Sequence, residues 1–300
     1  MIVVVKPGLL DMVMDLGRPG FRAQGVPEGG AADAPALIRA NRLVGNQDDA
    51  AGLEITLRGP ELSFPDGASV ALTGADMEAN LDGEYLPPAR RHEVRPGGVI
   101  LFGKADSGIR AYLAVAGGID VPRVLGSRST FLPGGWGGWQ GRALMAGDGL
   151  PVGGSAGNQV WECLPGHGPR LETVLRVLPG PQLNGFSDAA LARFLGQPYV
   201  VHADANRVGI RLAGEALDYQ KGEIASQPVL PGAIQVPPSG QPIILGWDGP
   251  VTGGYPVIGG VISADMPRLA QLGPGDSLRF RVVSHEEALQ AWQHEGLWTG

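Results

Sequence analysis

One cysteine, no membrane-length apolar run and no concentrated basic stretch: these scarcities set the first limits on the 300-residue chain. Cys163 stands alone, so no intrachain disulfide can form and no cysteine pair has the spacing of zinc ligands. That usage fits a reducing compartment, and we expect a soluble cytoplasmic protein with no metal site. The opening MIVVVKPG holds five apolar residues before Lys6 and Pro7, too few for a signal-peptide core or a membrane span. With 23 basic and 30 acidic residues, a net charge of -7 and no Lys/Arg cluster, the chain lacks the basic face that phosphate neutralisation needs, which excludes nucleic acid. It has no biotin-attachment Met-Lys-Met, so any biotin must arrive on another polypeptide.

What is abundant is glycine, 49 residues, and proline, 26. They punctuate Val/Ile/Leu runs instead of repeating, which predicts short strands joined by turns. Strand-like segments include Ile2–Val5, Leu53–Leu57, Ser69–Thr73, Val99–Phe102, Arg110–Val115, Leu175–Leu178, Ile243–Leu245, Pro256–Ile262 and Leu278–Val283. Helical signals are few: Asp33 to Val44 with Pro35 near the start and Gly45 as a stop, Ser187 to Leu195, and a capping-box pair, Ser284 and Glu287, ahead of Leu289 and Trp292. The expected fold is mainly β with a few helices, in two lobes, 1–165 and 170–300, divided by the Gly/Ser/Pro-rich region 151–169. A weak echo of GGVILFG (97–103) in SGQPIILG (239–246) suggests that the lobes are related.

Several catalytic patterns fail on physical grounds. GVILFGKA (98–105) has the spacing of a phosphate loop, but Ala105 lacks the magnesium-binding hydroxyl and Val-Ile-Leu-Phe belongs in a strand. HEEAL (285–289) has Leu289 where a zinc helix needs its second histidine. GSRST (126–130) lacks the closing glycine of a nucleophile elbow, and Gln140 breaks dinucleotide-loop spacing in GGWGGWQG (134–141), a loop whose Trp136 and Trp139 are expected to pack on a neighbour.

Three polar clusters remain: DLGRPGFRAQGVPEGGAAD (15–33), with Asp15 and Arg18; NRVGIRLAG (206–214), with Arg207 and Arg211; and GAIQVPPSGQPIILGWDGPVTGGYP (232–256), with Gln235, Asp248, Thr252 and Tyr255. A guanidinium can hold a carboxylate or phosphate through two hydrogen bonds, whereas two arginines four apart can equally be solvated charges on a strand.

Taken in order with YLAVAGGIDVPRVLGSRST (112–130) and AQLGPGD (270–276), these segments resemble the family of the C subunits of bacterial ATP-dependent 5-oxoprolinase, also described as KipA-type or allophanate-hydrolase-subunit-2-like and related to the carboxyltransferase domain of urea carboxylase. Met14, Val208 and Ile210 stand where the family pattern tends to have Gln, Met and an aromatic. The resemblance implies a cyclophilin-like β-barrel, in both lobes, and work with 5-oxoprolinase subunits A and B in ATP-driven opening of 5-oxoproline to glutamate. On that basis Arg207 and Arg211 are expected to hold anionic groups, Gln235 to meet the ring amide and Asp248 to handle protons. Thr252, Gly253 and Gly254 would form a polar cradle that Tyr255 caps, with Asp15 and Arg18 as further candidates. Two other readings stand beside it: a carboxyltransferase acting on a urea or amide nitrogen with biotin on another chain, and a non-catalytic regulator that binds a relative of the B subunit (a KipI-like partner).

Overall fold

The computed structural model describes residues 1–154 and 173–295. Cys163 lies outside the described residues, as does most of the expected 151–169 boundary. Two compact units emerge: Met1–Arg18 with Gly29–Pro169, and Pro19–Glu28 with Arg170–Gly300. Among the described residues no helix is long and apolar enough to cross a membrane.

Unit 1 contains β1 (Ile2–Lys6), β2 (Leu10–Met14), α1 (Ala34–Leu43), β3 (Gly52–Thr56), β4 (Glu61–Phe64), β5 (Ala68–Asp76), β6 (Asn80–Leu81), β7 (Glu84–Tyr85), β8 (Arg91–Val94), β9 (Gly98–Leu101), β10 (Ser107–Val115) and β11 (Gly149–Leu150). They form a six-stranded sheet, β11-β1-β4-β9-β6-β7, and a five-stranded sheet, β2-β3-β10-β5-β8. Alternation along β2 shows how the layers are made. Val13 joins the core between the sheets with Leu53, Ile55, Leu62 and Phe64, while Met12 and Met14 point the other way, onto Ala36 and Leu37 of α1. The Asp33 carboxylate caps α1 by accepting from the Ala36 N–H at 3.1 Å. Layering therefore buries the inner faces of this unit, and its described strands form two open sheets instead of a second closed barrel. The stretch with phosphate-loop spacing is β9, paired with β4 from Glu61↔Leu101 to Phe64↔Gly98.

Unit 2 contains β12 (Thr173–Pro179), α2 (Asp188–Gly196), β13 (Tyr199–Val201), β14 (Gly209–Ala213), β15 (Gln227–Pro228), β16 (Ala233–Gln235), β17 (Ile243–Leu245), β18 (Thr252–Gly253), β19 (Val257–Val261), α3 (Met266–Ala270), β20 (Ser277–Val282) and α4 (His285–Glu295). Seven strands close a barrel in the order β12-β19-β16-β17-β14-β13-β20, and β15 pairs with β18 in a separate ribbon. The closing β12–β20 pair is parallel. Leu175, Ile210, Leu212, Ile234, Ile244, Ile258 and Phe280 share one core, onto which α2 packs Ala190 and Phe194, the latter stacked on Phe280 at 4.6 Å. The helix signals at 187 and 284 mark real caps: Ser187 accepts from the Ala190 N–H, and Ser284 and Glu287 bond each other's backbone N–H groups reciprocally at 3.1 and 2.7 Å. HEEAL thus opens a capped helix.

Candidate functional site

In unit 2, period-two alternation sorts the strand residues between two faces. Ile234, Ile244 and Ile258 enter the barrel core, whereas their neighbours Ala233, Leu245 and Val257 join Val229 in a small apolar cluster on the opposite side. Gln235 follows Ile234 on β16 and shares the face of Ala233. Here the ladder slips: Ile234 faces Gly259 but Gln235 faces Val257. Such a bulge re-aims a side chain, and bulges concentrate beside sites.

Gln235 is 5% exposed, and among the described residues its buried Nε2 has no hydrogen-bond partner. The reason is what lies against it. A Cβ added at Gly253 would stand 2.4 Å from that nitrogen, so a bare glycine backbone occupies the place where an acceptor would be needed. Leaving an amide N–H unpaired costs about 1–3 kcal/mol in a protein interior. Fastening the ribbon above is a pair of side chains that the sequence did not mark. Gln182 Nε2 donates to Gln227 Oε1 at 3.1 Å and Gln227 Nε2 returns a bond to Gln182 Oε1 at 3.0 Å. From the 19–28 segment, Arg22 donates to the Val229 carbonyl oxygen.

Arg207 and Asp248 come together. The guanidinium Nε and Nη2 donate to the two carboxylate oxygens at 2.7 and 3.1 Å, and both side chains are buried. Their backbones are also joined, since the Asp248 N–H donates to the Arg207 carbonyl at 3.0 Å. The pair forms a buried bidentate clamp between the loop before β14 and the loop after β17, with Asp248 engaged through both oxygens. Arg211 does not join it: on β14 it alternates with the core residues Ile210 and Leu212 and is exposed. Thr252, Gly254 and Tyr255 are exposed too, Tyr255 at 45%. The cradle expected of residues 252–255 thus reduces, on its buried side, to Gly253 over Gln235.

In unit 1, Asp15 and Arg18 organise a loop. Asp15 Oδ1 accepts from Ser127 Oγ and Ser129 Oγ, each at 2.6 Å, and from the Gly17 N–H at 2.8 Å; Oδ2 accepts from the Arg128 N–H. Arg18, 1% exposed, donates to the Ser129 carbonyl and lies 4.4 Å from the Trp136 ring centroid. The serines of GSRST are held by Asp15, and the tryptophan loop packs against Phe131 and Arg18; Gly137 has φ 74°, and a Cβ there would strike the Ser129 carbonyl at 2.3 Å. Two substitutions relative to the family pattern, Met14 and Ile210, lie in packed cores, and Val208 is partly exposed.

A further polar network had a visible sign in the sequence, the lone carboxylate of GLEIT. Glu54 Oε2 accepts from the Ala32 N–H and from Tyr112 Oη, both at 2.8 Å, and Tyr112 Oη accepts from the Asp33 N–H at 2.8 Å. Arg110 approaches the other oxygen at 3.6 Å. Burial, with Glu54 nearby, holds the Tyr112 phenol well above its ordinary value, so it stays protonated as a donor. Among the described residues, no three His, Cys, Asp or Glu side chains gather as metal ligands could.

The chain is similar to known proteins along almost its whole length. Residues 24–282 match the family model for the carboxyltransferase domain, subdomain A and B. The chain is 42% identical to the C subunit of 5-oxoprolinase from Escherichia coli K12, across 98% of its own length and 95% of that protein. It is 34% identical to urea amidolyase of Saccharomyces cerevisiae across 96% of its length, which is 17% of that longer protein. The crystal structure of the Kluyveromyces lactis urea carboxylase superposes with a TM-score of 0.92 at 31% identity, over 98% of this chain and 28% of that one.

Proposed function

Because the chain belongs to the carboxyltransferase domain family, subdomain A and B, we propose that it is the C subunit of a 5-oxoprolinase, in which ATP hydrolysis drives the opening of 5-oxoproline to L-glutamate. The observation that carries this reading is end-to-end likeness: 42% identity covers nearly all of both chains, whereas the urea amidolyase match covers 17% of its relative. A relative named as one part of a 5-oxoprolinase supports work in an assembly, here with subunits A and B. Consumption of ATP argues for the cytoplasm.

Opening the ring adds water across the lactam C–N bond, and hydrolysis of ATP to ADP and phosphate consumes a second water. A lactam carbonyl is a poor electrophile, and donors aimed at its oxygen promote attack only if they are already in place. We assign that role to Gln235, whose Nε2 has no hydrogen-bond partner among the described residues and which a ligand can reach only if the Gly253 turn shifts. Arg207 and Asp248 set the loops beside it. We assign Asp248 to holding Arg207, because both its oxygens are engaged, and proton handling to another group of the complex. Arg211, Thr252, Gly254 and Tyr255 are exposed and remain candidates for polar contact with a ligand or partner.

Likeness to urea carboxylase favours a second reading, carboxyl transfer to a urea or amide nitrogen from a biotin on another chain. Purified A, B and C subunits incubated with ATP and 5-oxoproline, omitting each in turn, separate the two. Glutamate formed with all three and no biotinyl protein is the expected result. A requirement for a biotinyl protein would transfer the assignment to the second reading.

A further inference from the structure

We propose that Leu125, at the tip of a hairpin in unit 1, anchors another subunit of the enzyme by entering an apolar socket with an acidic rim on that protein, a role that rests on the reading of this chain as one member of a multi-subunit 5-oxoprolinase.

The hairpin has a two-residue loop. The Val124 N–H donates to the Ser127 carbonyl at 2.8 Å, and the Ser127 N–H returns a bond to the Val124 carbonyl at 3.2 Å. Between them Leu125 has φ 52° and Gly126 has φ 82°. Two positive φ values in succession are the mark of a type I′ turn, which favours Asn-Gly, Asp-Gly or Gly-Gly. Gly126 fits that rule and Leu125 breaks it. An L side chain in the left-handed region presses its Cβ against a carbonyl oxygen; asparagine offsets part of that cost by local hydrogen bonding, and leucine has no group to do so.

Burial does not offset the strain. Leu125 is 40% exposed, Pro122, Arg123 and Gly126 are exposed beside it, and a Cβ added at Gly126 would meet nothing within 4 Å. Leu57 is the contrast, also left-handed at φ 64° but half-buried. Nor is the turn loosely held, because Asp15 accepts from Ser127 Oγ, Ser129 Oγ and the Arg128 N–H immediately after it. A firm base thus holds an apolar side chain outward in a conformation that one change, to asparagine, would relax. Strain kept on such a support points to function. Small molecules take concave sites, whereas this tip stands in open surroundings, so the matching partner is a protein with a socket. Arg123, exposed one residue before the hairpin, makes an acidic rim the complementary one. Likeness to a protein named as one subunit of an enzyme favours a different chain over a second copy.

The test looks for effects of opposite sign. In the free full-length chain, Leu125→Asn is expected to lower the unfolding constant about fivefold in denaturant titration. The same variant should bind whichever of purified subunits A and B the wild type binds at least about tenfold more weakly, with kcat for 5-oxoproline at saturating partner within about twofold. Leu125→Met keeps both bulk and strain and should hold stability and affinity within about threefold. Arg123→Glu should slow association at low salt at least about threefold. Wild-type binding that Leu125→Asn leaves within about twofold, or a free chain that Leu125→Asn destabilises, would overturn the proposal and leave the assembly reading intact. A wild-type chain that binds neither subunit would refute the assembly reading and the anchor with it. Self-association that Leu125→Asn abolishes would assign the socket to a second copy, which also overturns the proposal.

Discussion

Asp15 in unit 1 and Gln235 in unit 2 are both buried polar side chains in glycine-rich surroundings, and they end in opposite states. Asp15 accepts four hydrogen bonds from the loop it holds. Gln235 keeps a buried amide nitrogen with no partner. The difference separates a polar group that builds structure from one that does not: saturation rigidifies, whereas an unmet buried donor costs stability. Arg207 falls on the structural side with Asp15, although the sequence grouped it with Gln235.

The comparison breaks first at Arg207. Arg207→Ala leaves the Asp248 carboxylate buried without its guanidinium and should cost about 3–5 kcal/mol of stability in denaturant unfolding. Arg207→Met combined with Asp248→Leu should recover most of that loss, which a pair serving only to bind substrate would not require. Asp15→Ala comes next: about 3 kcal/mol lost, because Ser127, Ser129 and the Arg128 amide lose a charged acceptor together. Thermal unfolding of the free chain would show it, and a loss under about 0.5 kcal/mol would remove Asp15 from the structural class.

Unit 1 has an unmet group of its own, which sharpens the contrast. Asp11 is 1% exposed, its Oδ2 accepts from the Gly8 N–H at 2.6 Å, and its Oδ1 has no partner among the described residues. Burial, partly offset by the Gly8 bond, pushes its carboxyl from 3.8 to about 7. Below about pH 7, Asp11 meets burial by keeping a proton. Between those two values the folded state binds more protons than the unfolded one, so this contribution to stability is complete below about pH 4, falls as pH rises and is gone above about pH 7. Asp11→Asn should flatten that part of the stability–pH curve and raise stability at pH 8 by about 2 kcal/mol. An unchanged curve would show that Asp11 is ionised throughout.

Much of the fold was legible because its signals are local. Alternating Val/Ile/Leu between glycines gave the strands, and the Asp33, Ser187 and Ser284 caps gave three helices within a residue or two. Barrel closure in unit 2 and layering in unit 1 depend on long-range pairing, such as Thr173↔Leu278, which no window of sequence contains. In the candidate site, Gln235 and Gly253 were visible as an amide and a glycine in a turn-rich stretch. Their apposition was not, nor was the Gln182–Gln227 tie across 45 positions. Arg207 and Arg211 misled by proximity: four residues apart, they occupy a buried loop and an exposed strand face.

Gln235→Leu tests the central claim most directly, with stability of the free chain and turnover of the assembled complex measured on the same preparation. Removing an unpaired buried donor while keeping the volume should leave stability unchanged or raise it by about 1 kcal/mol, and kcat/KM for 5-oxoproline should fall at least about 100-fold. Retained turnover, or a large loss of stability, would place Gln235 with Asp15 among the groups that hold the fold.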